Sequence, residues 1–162
     1  MSVRAVYEEE LQKRGYQSDP AQLRAIEALE RCAKEWAAYQ NKRSSLLGKF
    51  LSRPEIPKGV YMFGGVGRGK SFLMDCFFAA VPVERKTRLH FHEFMREVHR
   101  ELAAIQGTVN PLDELGKRMA KRYQLICFDE FHVADITDAM ILHRLLVALF
   151  DNGVGFVTTS NF

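Results

Sequence analysis

Val60-Tyr61-Met62-Phe63-Gly64-Gly65-Val66-Gly67-Arg68-Gly69-Lys70-Ser71 carries the reading that decides the fold. Four apolar residues make a short buried-strand candidate, a glycine-rich turn follows, and a helix candidate runs from Ser71 to about Ala80. Residues 64–71 fit G-x-x-x-x-G-K-[ST] at every fixed position. Glycines let the backbone turn tightly and aim its N–H groups inward. The helix N-terminus adds unsatisfied donors, so anionic phosphates are held there. Gly64, Gly65, Val66, Gly67, Arg68, Gly69, Lys70, Ser71 and Phe72 are therefore the expected binding segment for ATP or ADP. Lys70 reaches the β- and γ-phosphates as a mobile charge, and the Ser71 hydroxyl ligates Mg²⁺. Arg68 stands at a variable position of the motif, where a solvent or interface arginine is as good a reading as a phosphate contact.

Working outward, Leu125-Ile126-Cys127-Phe128 is an apolar strand that ends in Asp129-Glu130. Carboxylates at the C-terminal end of a buried parallel strand lie where open α/β sheets bind ligands. Asp129 is expected to hold Mg²⁺ directly or through water. Glu130 is expected to polarise the water that attacks the γ-phosphate. Taken without the loop, such a pair reads equally as turn or cap residues. Gly155 to Thr159 is another strand, and its polar end, Thr158-Thr159-Ser160-Asn161, meets the same side of a parallel sheet. Asn161 there can hydrogen-bond the γ-phosphate or the attacking water, although a lone asparagine at a strand end is ordinarily solvated. The expected catalytic set is Lys70, Glu130 and Asn161, with Ser71 and Asp129 at the metal.

The rest of the chain alternates strands with helices. Arg88 to Phe91 reads as a strand and about Glu93 to Ala104 as a helix. Asn110-Pro111 caps a short helix, and Asp135 caps the one before Gly155. Such alternation implies an α/β fold, a parallel sheet covered by helices on both faces. Before it, residues 3–14 form a short helix candidate, and Asp19-Pro20 opens a longer one reaching about Leu47, with Gln22 in the capping-box position. Glu27/Arg31 and Glu30/Lys34 stand at pairing distance on its outer face, and Trp36 and Tyr39 fasten it to the rest. Residues 1–57 thus read as an N-terminal helical segment and linker, and 58–162 as a partial nucleotide-binding core. The sequence stops directly after the last strand, which predicts that the ATPase module is incomplete at its C-terminal end.

The chain has 162 residues, 23 basic and 20 acidic, with 47% apolar residues. That is an ordinary globular composition. A net charge of +3 selects neither nucleic acid nor anionic lipid as a partner. Cys32, Cys76 and Cys127 form no C-x-x-C pair, which argues against a closed zinc site or disulfide framework. No apolar run is long enough to span a bilayer. A cytoplasmic protein is expected, with peripheral membrane binding left open. His90 and His92 share a strand face but lack a placed third ligand, so packing or hydrogen bonding is the better reading.

Four segments carry a likeness: GGVGRGKSFLMDCFF at 64–78, RLHFHEFMREVH at 88–99, LICFDEFHVADITDAMILHRLL at 125–146 and TTSNF at 158–162. They resemble the AFG1-like/ZapE ATPases, a branch of the AAA+ superfamily. The resemblance implies residues 64–71 as the Walker A loop, Asp129 and Glu130 as the Walker B pair, Asn161 as sensor 1, and the AAA+ strand order 5-1-4-3-2. It implies ATP-dependent work on a protein partner by a homo-oligomer, in which a neighbouring subunit supplies an arginine. For bacterial members that partner is the tubulin-like division filament protein, at the division site or the inner face of the cytoplasmic membrane. AAA+ modules continue past sensor 1 with a fifth strand, an arginine finger and a helical lid, and no residue here matches those parts. Two other readings share the phosphate chemistry. One is a nucleic-acid-associated AAA+ ATPase such as a helicase loader, for which no base-reading motif is present. The other is a nucleotide-binding assembly fragment without turnover.

Overall fold

The computed structural model describes residues 1–44, 55–63 and 69–160. The expected helix end near Leu47 and the connection up to residue 54 lie outside the described residues. So do Gly64, Gly65, Val66, Gly67, Arg68 and Asn161.

Helices α1 (Val3–Arg14) and α2 (Pro20–Ser44) precede strand β1 (Val60–Phe63). There follow α3 (Gly69–Ala80), β2 (Lys86–His90), α4 (Phe91–Ala104), α5 (Pro111–Arg122), β3 (Leu125–Asp129), α6 (Ile136–Asp151) and β4 (Gly155–Ser160). The strands form one parallel sheet in the order β1-β4-β3-β2, as expected for these four. Parallel neighbours need crossovers, and the helices that supply them cover both faces.

β3 lies at the centre, and each of its residues is buried. Alternation sends Leu125 and Cys127 to one face and Ile126 and Phe128 to the other. The first face packs with Tyr7, Ile26, Leu29, Trp36, Phe72 and Phe77, so α1, α2 and α3 share one core with the sheet. The second packs with Phe91, Phe94, Leu115, Met119, Leu145 and Leu149 of α4, α5 and α6. By the same period, Asp129 turns to the α3 face. All three cysteines are buried, and burial pushes the Cys32 and Cys76 thiols up to about 11 and that of Cys127 to about 12.

Several local expectations need correction. Phe91 opens α4 instead of closing β2. Its ring is buried against Phe94, Phe128 and Phe131, a packing the helix start permits and sequence period alone does not reveal. Asn110 precedes α5 in the left-handed region (φ 53°) and makes no side-chain cap hydrogen bond. Glu27 and Glu30 turn to α1, where Glu27 lies 3.9 Å from Arg4 and Glu30 accepts the Arg4 N–H at 2.9 Å. Asp19 does cap α2, accepting the Gln22 N–H at 2.8 Å, but the Gln22 carboxamide accepts the Tyr7 hydroxyl instead of closing a capping box. Asp135 accepts the Thr137 N–H at 2.7 Å and caps α6 as expected. Among the described residues no helix is long and apolar enough to cross a membrane.

Close approach explains two glycines. At Gly155 a Cβ would stand 2.5 Å from the Trp36 ring, so its absence lets α2 lie on the start of β4. At Gly116 a Cβ would stand 2.7 Å from the Ala148 Cβ and 3.3 Å from the Ala148 carbonyl carbon, where α5 meets α6. Gly116→Val gains a few tenths of a kcal/mol of helix propensity. Overpacking a tight contact costs about 1–3 kcal/mol, so it wins. The variant is expected to unfold at lower urea concentration with an unchanged m-value; an unmoved midpoint would contradict the close packing.

Candidate nucleotide and metal site

The first turn of α3 places Gly69, Lys70 and Ser71 at its N-terminus, facing the C-terminal ends of the strands. Four N–H groups there have no partner within the helix, and the aligned peptide dipoles favour an anion. Gly69 is walled by α2: a Cβ on it would stand 2.8 Å from Gln22 Nε2. Lys70 is half-buried and Ser71 exposed, while Phe72 is buried with its ring beside Tyr7 and Tyr16 and beneath the Arg14 guanidinium. Phe72 thus anchors the turn to α1, and only its backbone N–H is left to meet a phosphate.

Asp129 is 6% exposed, so its carboxylate needs a partner. β2 supplies it. Arg88 sits opposite Cys127 in the β2–β3 register and points to the same face. Its Nε donates to Asp129 Oδ2 at 2.7 Å and its Nη2 to Oδ1 at 3.3 Å. Nη2 also donates to the Ser71 carbonyl at 3.2 Å, and Nη1 to the Asp75 carboxylate one turn further along α3. One guanidinium therefore ties the end of β3 to the first turn of α3. Burial pulls the Arg88 pKa down, but the hydrogen bonds and charges of Asp129 and Asp75 outweigh it and raise it above the ordinary value.

Glu130 has the opposite surroundings. Its side chain is 59% exposed, and its backbone adopts φ 53°, which few residues other than glycine adopt. That conformation swings the chain out of the sheet. It is held from β4: the Glu130 N–H donates to Thr159 Oγ1 at 3.2 Å and the Phe131 N–H to the Thr159 carbonyl at 2.7 Å. Glu130 Oε2 lies 3.4 Å from His90 Nδ1, a contact without hydrogen-bond geometry, and the His90 and His92 rings lie 5.6 Å apart. At the end of β4, Ser160 is 1% exposed and its hydroxyl has no partner among the described residues. His132 is exposed in the segment before α6.

The donors fit Mg²⁺. Ser71 and Asp129 offer hard oxygens, and Arg88 Nη2 bonds to both residues, which places them side by side. Mg²⁺ is commonly held by one or two carboxylates together with substrate phosphates and water. An all-protein cage is a different matter: the described residues contain no group of three or more His, Cys, Asp or Glu suited to one. Of the expected site residues, the structure thus gathers Gly69, Lys70, Ser71, Asp129 and Glu130 at one end of the sheet. Arg88 and Asp75 went unforeseen. The available signal was a charged residue inside a short strand, which burial obliges to find a partner.

The AFG1-like ATPase family matches the chain over residues 1–162. Cell division protein ZapE of Escherichia coli is 43% identical over 166 residues, covering 96% of this chain and 44% of that protein. Lactation elevated protein 1 homolog B of Danio rerio is 42% identical over 121 residues, covering 68% of this chain and 24% of its own. The chain therefore spans less than half the length of these relatives. Among solved structures, DnaI superposes with a TM-score of 0.56 at 19% identity over 90% of this chain and 68% of its own. Domain III of the Thermotoga maritima replication initiation protein DnaA gives 0.51 at 20% identity, over 78% and 51%. At these identities the likeness is one of fold, a parallel sheet between helices.

Proposed function

The chain belongs to the AFG1-like ATPase family, and from that premise we propose that the full-length protein binds ATP with Mg²⁺ at the α3–β3 site and hydrolyses it to remodel or regulate a protein partner. The observation that carries this reading is the meeting of Ser71 and Asp129 through Arg88, with Glu130 exposed one residue on.

The α3 N-terminus receives the phosphates with its backbone N–H groups, and Lys70 brings a positive charge to their β- and γ-oxygens. Ser71 and Asp129 are the residues that would hold Mg²⁺, which when bound offsets negative charge on the phosphates. Glu130 takes up or orients the proton of the attacking water. Its exposure leaves room for that water, whereas buried and ion-paired Asp129 does not serve as a base. The name of the Escherichia coli relative supports a role in cell division, and the tubulin-like division filament protein is the proposed partner. A cytoplasmic homo-oligomer, with an arginine supplied between subunits, completes the proposal.

The test is ATP hydrolysis by the full-length protein beside Lys70→Ala. Turnover is expected to fall by about 100-fold or more, because a charge aimed at the transferring phosphoryl group is lost. A well-folded variant that hydrolyses ATP at the parent rate would refute the assignment.

A further inference from the structure

Arg88 joins Ser71 to Asp129 and is the most heavily engaged side chain at the site. It spends two N–H groups on Asp129, one on Asp75 and one on the Ser71 carbonyl. Its side chain is 22% exposed, that of Asp129 9% and that of Asp75 46%. The pair Arg88–Asp129 is therefore inside the protein, and Asp75 is the outer arm. A two-pronged contact of this kind fixes both the position and the rotation of the carboxylate, which a lysine ammonium at the same place does not do.

It also sets up a competition. A carboxylate offers about four lone-pair directions over two oxygens. The guanidinium occupies a direction on each, so a divalent ion reaching Asp129 meets an acceptor already shared with a fixed positive charge. That charge repels the ion at short range in a poorly screened setting.

Resting on the Mg-nucleotide reading of this site, we propose that Arg88, acting through Asp129, competes with the divalent ion for that carboxylate. The ion's hold on the site is thus set by Arg88 as well as by its own ligands. A brace that served folding alone would have a different signature: its loss would weaken binding and never tighten it.

The experiment uses the full-length protein and a fluorescent ADP analogue, titrated at rising free Mg²⁺, with folding of each variant checked by circular dichroism. In Arg88→Met the Mg²⁺ concentration that half-saturates its effect on ADP binding is expected to fall by about threefold or more. Arg88→Gln, a polar neutral chain for the same slot, is expected to shift it the same way and serves if the methionine variant does not fold. Arg88→Lys keeps the charge and is expected to stay within about twofold of the parent. A half-saturation point that stays put or rises in the folded neutral variants overturns the inference while leaving the nucleotide site intact. ADP binding that survives Lys70→Ala unchanged removes the site itself, and the inference with it.

Discussion

Glu130→Gln is expected to lower ATP turnover by about 10²- to 10⁴-fold and to leave nucleotide affinity within a few-fold of the parent. The carboxamide matches the carboxylate in size and shape but cannot accept the proton of an attacking water. The Glu130 backbone is held by Thr159 through bonds that involve no Glu130 side-chain atom, so the left-handed turn survives the exchange. Side-chain exposure of 59% adds that little packing is lost. Steady-state hydrolysis beside equilibrium binding of ATP separates the two effects. A variant that turns over within a factor of a few of the parent would assign the proton transfer elsewhere. One that loses ATP binding as well would mean that Glu130 holds the nucleotide or the fold.

Phe128→Ala is expected to cost about 3–5 kcal/mol of folding stability. The side chain is 1% exposed at the centre of an aromatic cluster. Its ring centre lies 4.8 Å from that of Phe94, 5.9 Å from Phe91 and 6.0 Å from both Phe131 and Phe156. Removal takes away transfer free energy and also leaves a cavity that four large rings cannot easily collapse into. Phe128 directly precedes Asp129, so the same cluster clamps the end of β3 on which the proposed metal ligand stands. Urea unfolding gives the number, and a loss below about 1 kcal/mol would mean that the rings repack freely.

The split between what sequence reveals and what it hides follows the range of the interactions. The glycine-rich motif stands out in the sequence because the chemistry it serves fixes the spacing of Gly64, Gly69, Lys70 and Ser71, and the described part, from Gly69 on, opens α3 as expected. Asp129-Glu130 could be read because four apolar residues place it at a strand end. The parallel sheet followed from alternation, and its order from family resemblance. Arg88 could not be assigned: its role depends on the β2–β3 register, which sets it opposite Cys127 and beneath Asp129, 41 residues away in the chain. Gln22 was read as a local cap partner, yet it serves Tyr7, 15 residues earlier, and walls Gly69. Phe91 was given to a strand because a hydrophobic residue after Arg88-Leu89-His90 extends the pattern. The aromatic cluster that draws it into α4 is assembled only by the fold.

The most direct test of the central claim is Mg-ATP binding by the full-length protein, followed by calorimetry or fluorescence beside Lys70→Ala. Saturable binding that strengthens with Mg²⁺ and is lost in the folded Lys70→Ala variant is the predicted result. A well-folded parent that binds no Mg-ATP, or a variant that binds it as well as the parent, would contradict the assignment of the α3 N-terminus and Asp129 as a nucleotide and metal site.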